Sequence, residues 1–131
     1  MKKVFLGGTC NNSNWRDNLI PFLSIDYFNP VVEDWTPECM EEEIKQREIC
    51  DYCLYVITPK MTGVYSIAEV VDDSCKRPEK TIFCYLPEDE EESFTVAQLK
   101  SLSQVGKMIK MNGATWLSSL EVIADFLNKE I

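Results

Sequence analysis

The sequence predicts an α/β domain built on a five-stranded parallel sheet. Three observations predict it: short apolar runs alternate with helical patterns five times, the chain has 131 residues, and 45% of them are hydrophobic. Alternation calls for parallel strands joined by helical crossovers. The length fits one domain over residues 1–131, and the composition suffices for a single core.

The first strand is Val4-Phe5-Leu6, ending in Gly7-Gly8. A polar loop follows, then a helical pattern with Trp15, Leu19 and Leu23 at four-residue spacing, interrupted by Pro21. Asp26-Tyr27-Phe28 reads as a second strand, stopped by Asn29-Pro30. Thr36-Pro37 is an N-cap with proline in the first turn, and the helix runs to about Ile49. Glu41/Lys45 and Glu43/Arg47 are its i,i+4 pairs, and Met40 and Ile44 its expected inner stripe. Tyr52 to Ile57 is a buried strand, Ser66 opens a helix to about Lys76, and Thr81 to Leu86 is the fourth strand. The acidic run Glu88 to Glu92 reads as a solvated loop. Ser93 to Val105 reads as a helix ended by Gly106, Lys107 to Met111 as an edge strand, and Ser118-x-x-Glu121 as the capping box of the last helix.

Charge and composition exclude several classes of function. Thirteen Lys+Arg against 22 Asp+Glu give a net charge of −9, the wrong sign for a nucleic-acid backbone. There is no histidine, which removes His-based triads, HExxH zinc enzymes and C2H2 fingers. The six cysteines read as small core residues in a reducing compartment. Cys50-x-x-Cys53 has no second pair to complete a metal site, so neither metal nor cofactor is expected. No apolar run reaches the length of a membrane span and no signal-peptide pattern opens the chain, so a cytoplasmic location away from the membrane is expected.

Five such units in this length favour the flavodoxin-like three-layer sandwich, with strand order 2-1-3-4-5. In that order the first and third strands adjoin where the winding reverses, and the loops after them open a crevice. The first loop runs Gly7-Gly8-Thr9-Cys10-Asn11-Asn12-Ser13-Asn14-Trp15-Arg16, offering backbone, amides, hydroxyls and an indole. It reads equally as a helix-capping loop, with Ser13 as N-cap and Trp15 packed inside. The second carries Asn29, Asp34 and Trp35; the third carries Thr62, Gly63 and Tyr65 ahead of Glu69. Glu69 is expected in the first turn of its helix, where the macrodipole favours its ionised form. Ser66-x-x-Glu69 is also the spacing of a capping box, in which the carboxylate would only return a bond to the Ser66 N–H.

The pieces Gly7-Gly8-Thr9-Cys10 with Trp15-Arg16, Tyr27-Phe28-Asn29-Pro30, Arg47 to Asp51, and Ile57-Thr58-Pro59 through Gly63-Val64-Tyr65-Ser66-Ile67-Ala68-Glu69-Val70-Val71 cover about two thirds of the chain. Together they resemble the nucleoside 2-deoxyribosyltransferase-like family, in its branch of short proteins. The resemblance implies a flavodoxin-like fold, a homo-oligomer, and a small-molecule nucleoside or nucleotide as partner. It also implies that Glu69 is the nucleophile that takes the deoxyribosyl group while one base leaves and another arrives.

An oxocarbenium-like transition state suits such a carboxylate and requires no histidine. Tyr65 or Thr62 would aim it. Asp34 and Asn29 would grip the base, Trp15 would stack on it, and Asn11 or Ser13 would hold the sugar hydroxyls. Gly8 would let the backbone approach the ligand, and Thr9 and Gly63 are further candidates for binding it. Met61, Thr62 and Gly63 stand where transferases of this family carry a base-binding aspartate, and their C-terminal asparagine segment is not recognisable in Lys107 to Ile131. Three readings follow: deoxyribosyl transfer through Glu69; hydrolysis of a nucleotide with Arg16 on its phosphate; and a non-catalytic nucleotide-binding module in which Glu69 is only a cap.

Overall fold

A computed structural model describes residues 1–10 and 12–129. Strands β1 (Lys3–Gly8), β2 (Asp26–Phe28), β3 (Tyr52–Ile57), β4 (Thr81–Tyr85) and β7 (Thr115–Trp116) form one parallel sheet in the order β2-β1-β3-β4-β7. This is the expected 2-1-3-4-5 winding, consistent with a flavodoxin-like three-layer fold. The helices are α1 (Trp15–Leu19), α2 (Pro37–Ile49), α3 (Tyr65–Lys76), α4 (Val96–Met111) and α5 (Leu120–Asn128). Among the described residues no helix is long and apolar enough to cross a membrane.

Alternate residues along the central strands feed two cores. Val4, Leu6, Leu54 and Val56 pack with Trp15 and Leu19 of α1 and Ile123 and Leu127 of α5. Phe5, Tyr55, Ile57 and Phe83 pack with Val70 of α3 and Leu102 and Ile109 of α4. Burial on both faces is why β3 reads as an unbroken apolar run.

The C-terminal third departs from expectation. Residues 107–111, expected as the fifth strand, continue α4, which Thr95 opens with a capping box to Gln98. The edge strand is Thr115–Trp116 instead. Gly106 does not end the helix: a Cβ there would stand 2.6 Å from the Trp116 ring, so the glycine lets α4 lie against the edge strand. The last helix is capped by Ser119, whose Oγ accepts from Val122 N at 3.2 Å, and not by Ser118.

The acidic run folds into a hairpin, β5 (Glu88–Asp89) with β6 (Glu92–Ser93). The hairpin is tied to the polar loops: Ser13 Oγ donates to Asp89 at 2.6 Å, and Lys60 Nζ pairs with Glu90 at 2.6 Å. α2 is capped by Thr36 with Pro37 behind it, as expected, yet Met40 and Ile44 are exposed and only Gln46 is buried. Three of the six cysteines are buried in the core, whereas Cys10 and Cys75 are exposed and Cys39 is half-buried. Cys50 and Cys53 are capped by Gln46 and the Arg47 carbonyl, and burial pushes the Cys53 thiol up to about 12, so neither is a nucleophile.

Trp116 is flanked by the rings of Phe83 and Tyr85 and has little room to yield to a new methyl group at position 106. Gly106→Ala should therefore lower stability by about 1–2 kcal/mol despite the better helix propensity of alanine, read as a shift in the urea midpoint.

Candidate functional site

At the carboxyl ends of β1 and β3, where the winding reverses, the loops open on a cavity of about 660 Å³. Gly8 and Thr9 close one side of it; Met61, Thr62 and Gly63 lead from β3 toward Tyr65, Ser66 and Glu69 of α3. The facing wall is α2, through Met40, Glu43, Ile44 and Arg47, with Trp35 just before that helix.

Gly8 explains the end of β1. Its φ is +113°, and a Cβ would fall 2.1 Å from the Val56 carbonyl oxygen, so only glycine brings the strand end this close to β3. Thr9 is then spent on structure: its Oγ accepts from Thr58 N at 2.9 Å, and its carbonyl accepts from Trp15 Nε1 at 2.8 Å and Arg16 at 2.7 Å.

Glu69 is not a cap. α3 begins at Tyr65 behind Val64, without a side-chain cap, so Glu69 sits in the second turn and not the first. Its carboxylate instead forms an ion pair with Arg47 at 3.5 Å and is 17% exposed beside the cavity. Burial pushes the Glu69 carboxyl up to about 7; the Arg47 charge opposes the shift, while Glu43 and Asp73 reinforce it. The macrodipole expectation of a readily ionised group is overturned by desolvation.

Arg47 is held from behind. Asp73 of α3 is fully buried and accepts from Arg47 at 2.7 and 3.2 Å, from Tyr55 Oη at 2.5 Å, and from Arg77. Asp72 adds a contact to Arg47 at 3.4 Å. Burial works against the Arg47 charge, but the Asp73 bond and the surrounding acids outweigh it and raise its pKa. The Glu43 carboxyl is also raised by burial, and the Trp35 indole N–H beside it, with Arg47 and Arg16, favours the ionised form.

The remaining expected site residues divide clearly. Gly8, Thr9, Thr62, Gly63, Tyr65 and Glu69 line the cavity together; Ser13, Trp15, Arg16, Asn29 and Asp34 do not. Asn11 lies outside the described residues. Trp15 is 1% exposed and packs in the core, so it has no face to offer a base. Arg16 is buried, stacks on Trp15, and donates to the Leu6 and Thr9 carbonyls, which removes it as a phosphate contact. Ser13 is taken by Asp89, and Asn29 Oδ1 accepts from Val31 N at 3.1 Å in a local turn. Asp34 is exposed outside the cavity. No hydrogen bond joins Tyr65 or Thr62 to Glu69 among the described residues; Arg47 aims that carboxylate.

Sequence reasoning missed Arg47, Glu43 and Asp73 as site residues. The signal for the first two was the pair of adjacent i,i+4 stripes on α2, Met40/Ile44 and Glu43/Arg47. Too mixed to bury, that face turns to the cleft. Asp73 gave no such signal.

An open parallel sheet with a carboxylate-bearing cleft at its switch point defines a small-ligand α/β domain. A family model described as nucleoside 2-deoxyribosyltransferase like matches residues 1–89, and the chain belongs to that family. The matched span contains every residue that lines the cavity. Membership supports a related, enzyme-like function and a small-molecule nucleoside as ligand. No curated protein and no solved structure matches the chain.

Removing the buried carboxylate strands two guanidinium groups and a phenol. Asp73→Ala should cost about 3–5 kcal/mol in urea denaturation, and Tyr55→Phe about 1 kcal/mol. Glu69 gives a pH signature of its own. Its folded pKa lies above the ordinary carboxyl value, so its proton stabilises the fold fully at low pH, and that contribution is lost as pH rises through about 7. Between about pH 4.5 and 8 wild type should lose about 3 kcal/mol relative to Glu69→Gln, measured as the difference between the two denaturation profiles.

Proposed function

We propose that the protein exchanges bases on 2-deoxynucleosides, with Glu69 as the nucleophile. The observation that carries this is the Glu69 carboxylate itself: free of Ser66, at the cavity wall, and aimed by a guanidinium that is anchored elsewhere. Breaking an N-glycosidic bond builds positive charge on the anomeric carbon, and a carboxylate in a partly dry cleft stabilises it and can bond to it. The glycosidic electron pair leaves with the base nitrogen as the Glu69 oxygen forms an ester to the sugar. An incoming base then attacks the same carbon and releases the carboxylate. With water as acceptor, the same intermediate gives hydrolysis. The substrate is a nucleoside and not a nucleotide: Arg16 is committed to two carbonyls, Arg47 to three acids, and Lys60 to Glu90 and the Asn12 carbonyl. A neighbouring copy of the chain would complete the open mouth of the cleft, where Val64 and Tyr65 are exposed.

Purified protein is incubated with deoxynucleosides, with and without a free acceptor base, and products are separated by chromatography. Base exchange that requires the acceptor supports transfer; free-base release without one supports hydrolysis. Glu69→Gln should reduce either by at least about 10³-fold, and equal rates in both proteins would end the assignment. Because the nucleophile must be ionised and its pKa is about 7, wild-type kcat/KM should climb about tenfold from pH 6 to pH 8.

A further inference from the structure

We propose that Glu43 and Trp35 read the edge of the heterocycle and make the protein select amino-bearing bases over their oxo counterparts; this rests on the reading that the ligand is a nucleoside. The residues first expected to hold the base, Trp15, Asn29 and Asp34, do not line the cavity. Glu43 and Trp35 do. Glu43 stands four residues before Arg47 on α2, about 6 Å along the axis, and Arg47 marks the place of the nucleophile. A sugar held at Glu69 therefore puts a planar base within the span of that turn.

The chemistry at that end is selective. Trp35 is 58% exposed and lines the cavity with Glu43, so its ring is free to cover a base. The ionised carboxylate only accepts hydrogen bonds. Met40 and Ile44 flank it with apolar surface, where an unmatched polar contact is costly. An exocyclic amine donates to Glu43, whereas a carbonyl oxygen at the same ring position sets acceptor against acceptor. The charged groups that bear on Glu43 are Glu69 from α3, in repulsion, and Arg47 from its own helix and Arg16 from α1; both guanidinium groups have their own acceptors. Neither is free to reverse the preference by donating to an oxo group.

The test uses two matched pairs, deoxyadenosine with deoxyinosine and deoxycytidine with deoxyuridine. Binding is measured by calorimetry on Glu69→Gln, which holds substrate without turning it over, and kcat/KM is measured on wild type. The amino member of each pair should be favoured by at least about tenfold. Adding Glu43→Gln, whose amide both donates and accepts, should bring each pair to within about twofold. Trp35→Ala should weaken both members alike, by about tenfold. Equal treatment of the pairs by the parent protein, or an unchanged ratio in the Glu43 variant, overturns the inference. Turnover that needs Glu69 but shows no amino preference defeats this inference alone. An amino preference in binding without any turnover defeats the proposed reaction and leaves this inference standing.

Discussion

The arrangement of the cleft depends on one buried carboxylate. Asp73 has no contact with solvent, and its carboxylate is met by two guanidinium groups and a phenol from three different elements. An isolated charge in that position would be prohibitive, so its presence fixes where Arg47 of α2, Tyr55 of β3 and Arg77 past the end of α3 must lie. This matters most for α2, which buries only Gln46 and has little apolar attachment to the sheet. The ion pairs of Arg47 hold this helix at the distance that leaves the cavity open between it and α3.

Glu69 inherits its character from that network. Among the described residues its ion-pair partner is Arg47, which Asp73 and Asp72 also engage, and desolvation outweighs the Arg47 charge. The result is a carboxyl that titrates near neutrality in a chain without a single histidine. A more strongly paired glutamate would stay ionised over a wider range but would be a poorer nucleophile, since its electrons would be held by the guanidinium. The longer ion pair, 3.5 Å to Glu69 against 2.7 Å to Asp73, expresses this division: the short bond anchors and the long one aims.

The parts of the fold legible in the sequence were those set by local pattern. Continuous apolar strands, Thr36-Pro37 and the alternation itself reported on neighbouring residues, and they specified the sheet order and the position of the crevice. The illegible parts were set by contacts across the chain. Gly106 looks like a helix stop because glycine often is one, yet its role is to admit Trp116, ten residues on. Asp73 looks like a solvated helix residue because Asp72 beside it is exposed enough to be one; its partners, among them Arg47 and Tyr55 from other elements, show otherwise. Within the site, Glu69 was legible as a free carboxylate only through family resemblance, since its spacing to Ser66 equally specified a cap.

The first loop shows why polar residues near a crevice need not be ligands. Trp15, Arg16, Ser13 and Thr9 have the chemistry to bind a nucleoside, and each is engaged in folding the loop that forms the cavity wall. Gly8 bends β1 onto β3, which turns the Thr9 carbonyl inward; that buried acceptor then needs donors, and Trp15 and Arg16 supply them. On the other side of the cleft, the α2 side chains Met40, Glu43 and Ile44 stand exposed or half-buried at the cavity wall. A helix that contributes little to the core is free to carry a face of carboxylate and apolar groups, with the Trp35 indole just before it, and its attachment through Arg47 ties that face to Glu69. Apart from Arg47, whose ion pair with Asp73 belongs to the fold, changes to the cavity face of α2 should cost little stability, because that helix buries only Gln46.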